Sequence, residues 1–422
     1  MNVESRGPET EAKKIETAPP ADHPYWKRNV VIIPVTAFLS TIAFSMTTPF
    51  IPLMLRDLGV VTNLETWTGN MMLAFYLIGF GMNPIWGGLA DHFGRKQMVL
   101  RATLGMGIFF VLATLATTPL MFACLFMLVG IFNGANSAYN SLLVATTPTR
   151  RLGTALTLTQ SGSLIGRTLG PGIAALATGF IGQYHQMLRF SGGVFLIGGI
   201  LALFIRDVKR PSQGNWRPRW ISDLRTLVEV PRMAPLLFLC FISNMLWAGS
   251  STIITIFLLQ LIADNPGAGD EGMWVSAVAT GLSVSSLLAL PLWARLIDRK
   301  DPAVSLFYAV VAAIVTNLPL LFLQTPMQLV LSRIAFGFSA MGMQPAIVRL
   351  LSQCAPPGME ARAISWGQSF QFLASGVAPF VAGVVAPLFG MRVYFSLTIL
   401  MALAGLILWI RSGRRAAKPS SA

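Results

Sequence analysis

The chain has 422 residues, is 54% hydrophobic and only 11% charged, and has a mean hydropathy of +0.64. A soluble domain carries about 25% charged residues, so the solvent of most of this chain is lipid and a soluble enzyme is excluded. The net charge of +14 does not point to nucleic acid, because membrane proteins gather Lys and Arg on their cytoplasmic face.

Residues 1–28 are polar and of mixed charge, lack the apolar core of a secretory signal, and read as a cytoplasmic tail. A membrane helix needs about 20 apolar residues. Twelve such segments follow: 29–53, 68–90, 97–117, 119–146, 154–181, 188–206, 233–262, 274–297, 303–323, 327–353, 362–388 and 393–411. The expected fold is an all-α membrane protein of twelve transmembrane helices in two six-helix bundles, 29–206 and 233–411. A polar linker, 207–232, joins them, and a cytoplasmic tail, 412–422, ends the chain. With the N-terminus inside, the cytoplasmic segments hold 26 of the 31 basic residues, and only Arg56 and Arg392 fall outside. Both termini are therefore expected in the cytoplasm.

The two bundles read as tandem copies. Pro84, Trp86, Leu89 and Asp91 recur as Pro291, Trp293, Leu296 and Asp298, each 207 residues later. Gly130 recurs as Gly337 at the same offset, and Pro171 as Pro379 at 208. Parallel repeats place a substrate path between the halves.

Spans 2 and 3 join at Gly87-x-x-x-Asp91-x-x-Gly94-Arg95-Lys96. Glycine permits a tight turn there, and a carboxylate caps a helix or pairs with a guanidinium. Gly166 and Gly170 in span 5 allow close helix approach, and Pro171 bends the helix. Arg167 lies near the middle of span 5, where a charge facing lipid is costly. Two readings stay open for it: a structural cation satisfied by carbonyls or amides, and a cation that contacts substrate. Gln160 and Ser163 share its helix face. Further polar or aromatic candidates for a cavity are Thr47, Thr48, Tyr76, Asn133, Asn136, Asn140, Asn244, Trp247, Gln344, Trp366, Gln368 and Gln371. Arg333 in span 10 reads either as one of this set or as an arginine that reaches to the interface. Cys124, Cys240 and Cys354 have neither metal-ligand nor redox spacing, no metal or other cofactor is implied, and no phosphate-binding loop, zinc motif or nucleophile–base pair occurs.

The junction Gly87–Lys96 resembles the signature loop of the major facilitator superfamily between its second and third helices, and Gly166–Pro171 resembles the motif of that family's drug:proton antiporter branch. Arg333-x-x-x-Gly337 is similar to the repeat copy of the family's fourth-helix motif. The resemblance implies a monomeric secondary transporter of the bacterial inner membrane that works by alternating access. It makes small molecules the partners, proton the coupling ion, and the loop around Asp91, with its copy at Asp298, a cytoplasmic latch. The sequence departs from the family at Phe126, where an arginine is usual, at Ala174-Ala175, and at Ala340. All 17 acidic residues fall in tails, loops or span ends. The leading expectation is export of amphipathic drugs. Transport of a specific organic anion or metabolite, and a transport-inactive membrane sensor, are the alternatives.

Overall fold

The computed structural model describes residues 25–181, 183–207, 220–230, 232–248, 252–267, 269–356 and 359–416. For some helical residues, Gly87, Asp91, Asn136 and Asp298 among them, only the backbone is described. Most of the expected N-terminal tail, linker and C-terminal tail thus lies outside the described residues.

The described elements are helical. In chain order they are α1 (Trp26–Thr47), α2 (Ile51–Asp57), α3 (Leu64–Phe93), α4 (Arg95–Ala113), α5 (Pro119–Phe132), α6 (Ala135–Thr146), α7 (Thr149–Ile181), α8 (Met187–Leu203) and α9 (Trp220–Glu229). The second half follows as α10 (Met233–Ala248), α11 (Thr252–Ala263), α12 (Glu271–Arg299), α13 (Pro302–Asn317), α14 (Pro326–Ala340), α15 (Met343–Cys354), α16 (Glu360–Phe389) and α17 (Met391–Ala416). Among the described residues, nine helices are long and apolar enough to cross a membrane. The other three expected spans, 68–90, 119–146 and 154–181, are helical as well. Helix is the economical solution, since lipid offers no partner to a backbone N–H or carbonyl.

Several helices begin where the sequence supplies a cap. Thr118 and Thr325 accept from the backbone N–H of Met121 and Gln328, and each precedes a proline at the first helical position. Span 4, expected to run unbroken through 119–146, is broken between α5 and α6. Gly134 adopts φ 113°, a left-handed conformation that glycine takes without strain, and the Asn133 side chain accepts from its N–H at 2.7 Å.

The repeat seen in the sequence is also a repeat of contacts. The Trp86 indole donates to the carbonyl of Ile131 at 2.8 Å, and the Trp293 indole to that of Phe338 at 2.9 Å, both pairs shifted by 207. A Cβ on Gly130 would lie 2.8 Å from the carbonyl of Phe75; one on Gly337 would lie 2.4 Å from that of Leu282, again 207 further on. Each residue at the shared offset therefore fixes the same helix crossing in its own half. The copies differ at the turn after span 2. Gly94 stands where the second copy has Asp301. Asp301 caps its own helix at the N–H of Ala303, while in the first half Asp207, from the end of span 6, accepts from the N–H of Lys96 at 2.9 Å.

The halves meet along two helix pairs, α3 with α16 and α7 with α12. One apolar cluster, with Phe50, Phe75, Phe257 and Phe395, is shared by both halves at the end distal from the chain termini. At the end bearing the termini, each half has its own cluster: Ile33, Tyr139 and Ile205 in one, Leu236, Phe336 and Trp409 in the other. Among the described residues, no apolar cluster joins the halves at that end.

Enlarging Gly130 or Gly337 to leucine should push α3 from α5, or α12 from α14, at an overpacking cost of about 1–3 kcal/mol. The expected readout is a lower thermal midpoint of the detergent-solubilised protein in both variants. A midpoint unchanged in either would mean that the shared crossing is not held by glycine.

Candidate functional site

Between the halves lies a cavity of about 350 Å³. Its walls come from α1, α3, α4, α7 and α8 of the first half and α10, α11, α12 and α16 of the second. Hydroxyl and amide groups (Thr41, Ser45, Asn133, Asn244, Ser375) alternate with aromatic rings (Phe44, Tyr76, Phe195, Trp247, Phe372). Such a surface holds an apolar body and orients it with a few polar groups.

Among the described residues, Arg167 is the single charged one in this lining. It is solvent-exposed by area, although the mass of the protein surrounds it, because its exposure is to the cavity. Among the described residues no carboxylate pairs with it. Tyr76 is near enough to interact with it electrostatically. The Tyr76 ring stands edge-on to Phe372, centroids 4.9 Å apart, so one aromatic pair spans the two halves beside the cation.

The glycines around Arg167 explain how α7 reaches this position. A Cβ on Gly166 would meet the carbonyl of Phe38 at 2.7 Å, and one on Gly170 the hydroxyl of Ser45 at 1.8 Å. Both glycines thus lie against α1, and Ser45 donates to the carbonyl of Gly166 at 3.1 Å. The Pro171 carbonyl accepts from Ser276 of the other half at 2.9 Å.

Of the residues singled out in the sequence, Thr48, Tyr76, Asn133, Arg167, Asn244, Trp247 and Pro171 line the cavity. Asn244 donates to the Ser375 hydroxyl at 2.5 Å and to the carbonyl of Gln371. Gln344 and Gln371 are outside the lining and exchange amide bonds of 2.7 Å, tying α15 to α16. Gln160 is exposed, Asn140 and Trp366 are half-buried, Gln368 is exposed, and none of them lines the cavity. Thr47 is buried against Ser191. Arg333 does not reach an interface. It is 1% exposed, donates to Asn317 at 3.0 Å, and lies over the Phe336 ring at 4.8 Å. Gly94, with φ 95°, and Arg95 and Lys96 form the turn into α4, and Lys96 also donates to the Leu203 carbonyl at 2.7 Å. The side-chain expectations for Gly87, Asp91, Asn136 and Asp298 fall outside the described residues.

Sequence reasoning missed Phe44, Thr41, Ser45, Phe372, Ser375 and Asp207. Helical spacing held a signal for two groups: Thr41 and Ser45 share one face of α1, continued by Thr48 just past its end, and Phe372, Ser375 and Pro379 one face of α16. Asp207 had none, since its partner is 111 residues away.

The Major Facilitator Superfamily model matches residues 35–267 and 240–422. The chain belongs to that superfamily: it is a multi-pass membrane transporter and not an enzyme. A multidrug resistance protein, MdtG, of Salmonella paratyphi C is 30% identical over 395 residues, covering 92% of this chain and 95% of that one. MdtG of Escherichia fergusonii is 28% identical over 400 residues, covering 93% and 96%. Among solved structures, the nucleoside transporter NupG superposes with a TM-score of 0.72 at 16% identity, covering 93% of this chain and 100% of its own. The human organic anion transporter MFSD10 superposes with a TM-score of 0.65 at 16% identity, covering 92% and 100%. These two share the fold.

Gly170→Leu should stop transport while the protein still inserts, because even a Cβ there would lie 1.8 Å from the Ser45 hydroxyl and 2.9 Å from the backbone carbonyl of Ile42. Cysteine labelling from the two mouths of the cavity checks this. Wild-type labelling on both sides would overturn it.

Proposed function

We propose that the protein exports amphipathic organic compounds across a bacterial inner membrane by alternating access, driven by an ion gradient with proton as the coupling ion. The observation that carries the reading is the cavity between the halves, lined by mixed hydroxyl, amide and aromatic groups. Methionine and aromatic walls, here with Met72 and Met106, suit adaptable binding. The printed name of the MdtG relatives, multidrug resistance protein, agrees with it. The excess of Lys and Arg supports a cytoplasmic location for the termini end. In this reading the structure is the inward-facing state, open for loading from inside and closed outside. The halves 29–206 and 233–411 rock as units of a monomer about the two shared helix pairs, and the turn around Asp91, with its copy at Asp298, latches the cytoplasmic side in the opposite state.

Arg167 supports a narrower second reading, a substrate with an anionic group. Among the described residues it is the cavity's only charge, and a cation flanked by low-dielectric protein attracts an anion more than it would at the open surface. Among the described residues the lining holds no carboxylate that would serve a cationic drug as counter-ion or take up a proton for coupling.

Uptake into proteoliposomes, with and without a pH gradient, across cationic, neutral and anionic amphipathic compounds tests both readings. No flux of any compound would sink the exporter; flux indifferent to pH would remove proton coupling. Arg167→Gln should reduce transport of anionic compounds at least about tenfold, the factor that 1.4 kcal/mol represents. Arg167→Lys should keep part of it, since the charge stays and the planar fork goes. Equal losses for all classes in both variants would make Arg167 structural.

A further inference from the structure

Only two basic residues are expected on the face distal from the termini, Arg56 and Arg392. Arg392 donates to the carbonyl of Leu323 within its own half. Arg56 crosses to the other half. Its guanidinium forks onto the Glu271 carboxylate, Nη1 to Oε1 at 3.0 Å and Nη2 to Oε2 in a second, closer contact. Of the ion pairs among the described residues, this is the one that joins the halves; His185–Asp57 stays in the first half and Arg225–Glu229 within α9.

We propose that Arg56–Glu271 is the distal lock of the transport cycle, holding the halves together on that face and setting the ratio of the two access states. A water-facing ion pair ordinarily contributes little, because two long side chains must be ordered to form it. Three features set this pair apart. First, contact is bidentate, which adds geometric specificity. Second, both ends stand on rigid supports. Arg56 closes α2, whose preceding residues Ile51 to Leu55 are all buried. Glu271 opens α12, where Asp270 caps the helix by accepting from Met273 at 2.7 Å, and the positive helix terminus favours a carboxylate. Third, the nearest competing acid of its own half is engaged. Asp57 accepts from the N–H of His185 at 3.3 Å and lies 3.8 Å from its imidazole.

The other polar contacts between the halves near this face, among the described residues, are single bonds that pair no opposite charges. Thr66 donates to the carbonyl of Gly383, Thr255 to that of Pro49, and Gln260 to the Glu65 carboxylate. Without a cation on one side and an anion on the other, none of them has a sign that exchanging its partners would restore. Arg56 and Glu271 do, and they sit at the rim, 39% and 30% exposed by side chain, where parting them lets water solvate both. The lock is therefore strong enough to hold one state and weak enough to release.

The test is a distance measurement that needs no substrate, so it stands apart from the question of what is exported. Spin labels at Val61→Cys and Ala263→Cys, with the three native cysteines replaced by serine, report the separation of the halves at the distal face by pulsed electron resonance. A control pair at Val61→Cys and Leu115→Cys lies within one half and verifies folding. Arg56→Glu alone and Glu271→Arg alone should each raise the long-distance population relative to the short at least about threefold. Glu271→Gln, the milder change, should shift it in the same direction. The double exchange Arg56→Glu with Glu271→Arg should move the distribution back toward wild type, short of full recovery because the helix terminus at 271 favours a carboxylate. Single variants with wild-type distances would overturn the lock. So would a correctly folded double exchange no closer to wild type than the single variants, because the loss would then be unrelated to the pairing of charges.

Discussion

Close approach of backbone to backbone is the constraint on which the rest of this structure depends. Helices in lipid gain little from burying apolar faces, since the surrounding chains are equally apolar, so packing must come from tight contact. Here that contact is made at glycine. Gly166 and Gly170 bring α7 onto α1, and Gly130 and Gly337 set the same crossing in each half. Between the halves, Gly69 faces the carbonyl of Pro379 and Gly383 that of Glu65, with a Cβ at either site only 2.5 or 2.7 Å from it. At these crossings the seam is backbone against backbone, and beside the cavity Tyr76 meets Phe372 across it.

The distribution of apolar clusters follows from that seam. A shared cluster seals the distal end, and separate clusters let the halves stand apart at the termini end. The cavity forms where the shared packing stops. Its aromatic walls give it an apolar body, while Arg167, held in place by α7's contact with α1, gives it a sign of charge. A cation without a carboxylate partner is costly in lipid and tolerable beside water, and its position facing the cavity satisfies that requirement.

Charge marks the two faces in different ways. At the termini end Lys96 donates from its side chain to the Leu203 carbonyl and from its backbone N–H to Asp207. The distal face has few charges, but one pair of them spans the halves. Arg333 shows the limit of reading a charge by its depth alone. It is buried in the second half, donating to Asn317 and lying over the Phe336 ring, away from both the cavity and the interface.

The sequence by itself determined the helical class, the span positions, the tandem repeat and the family resemblance. Those depend on apolar run length and on residues at a fixed offset, which are local or periodic properties. It also pointed to Arg167, because a mid-span charge has few tolerable surroundings. Only the tertiary structure decided which polar residues share a cavity. Asn244 and Gln371 look alike in the sequence, yet Asn244 faces the cavity and Gln371 pairs with Gln344. The choice depends on helix rotation and on the crossing that each glycine permits. The break at Gly134, the carboxylate from Asp207 on α4 and the pairing of Arg56 with Glu271 were decided there too. The last two join residues 111 and 215 positions apart, and no local pattern encodes such a contact.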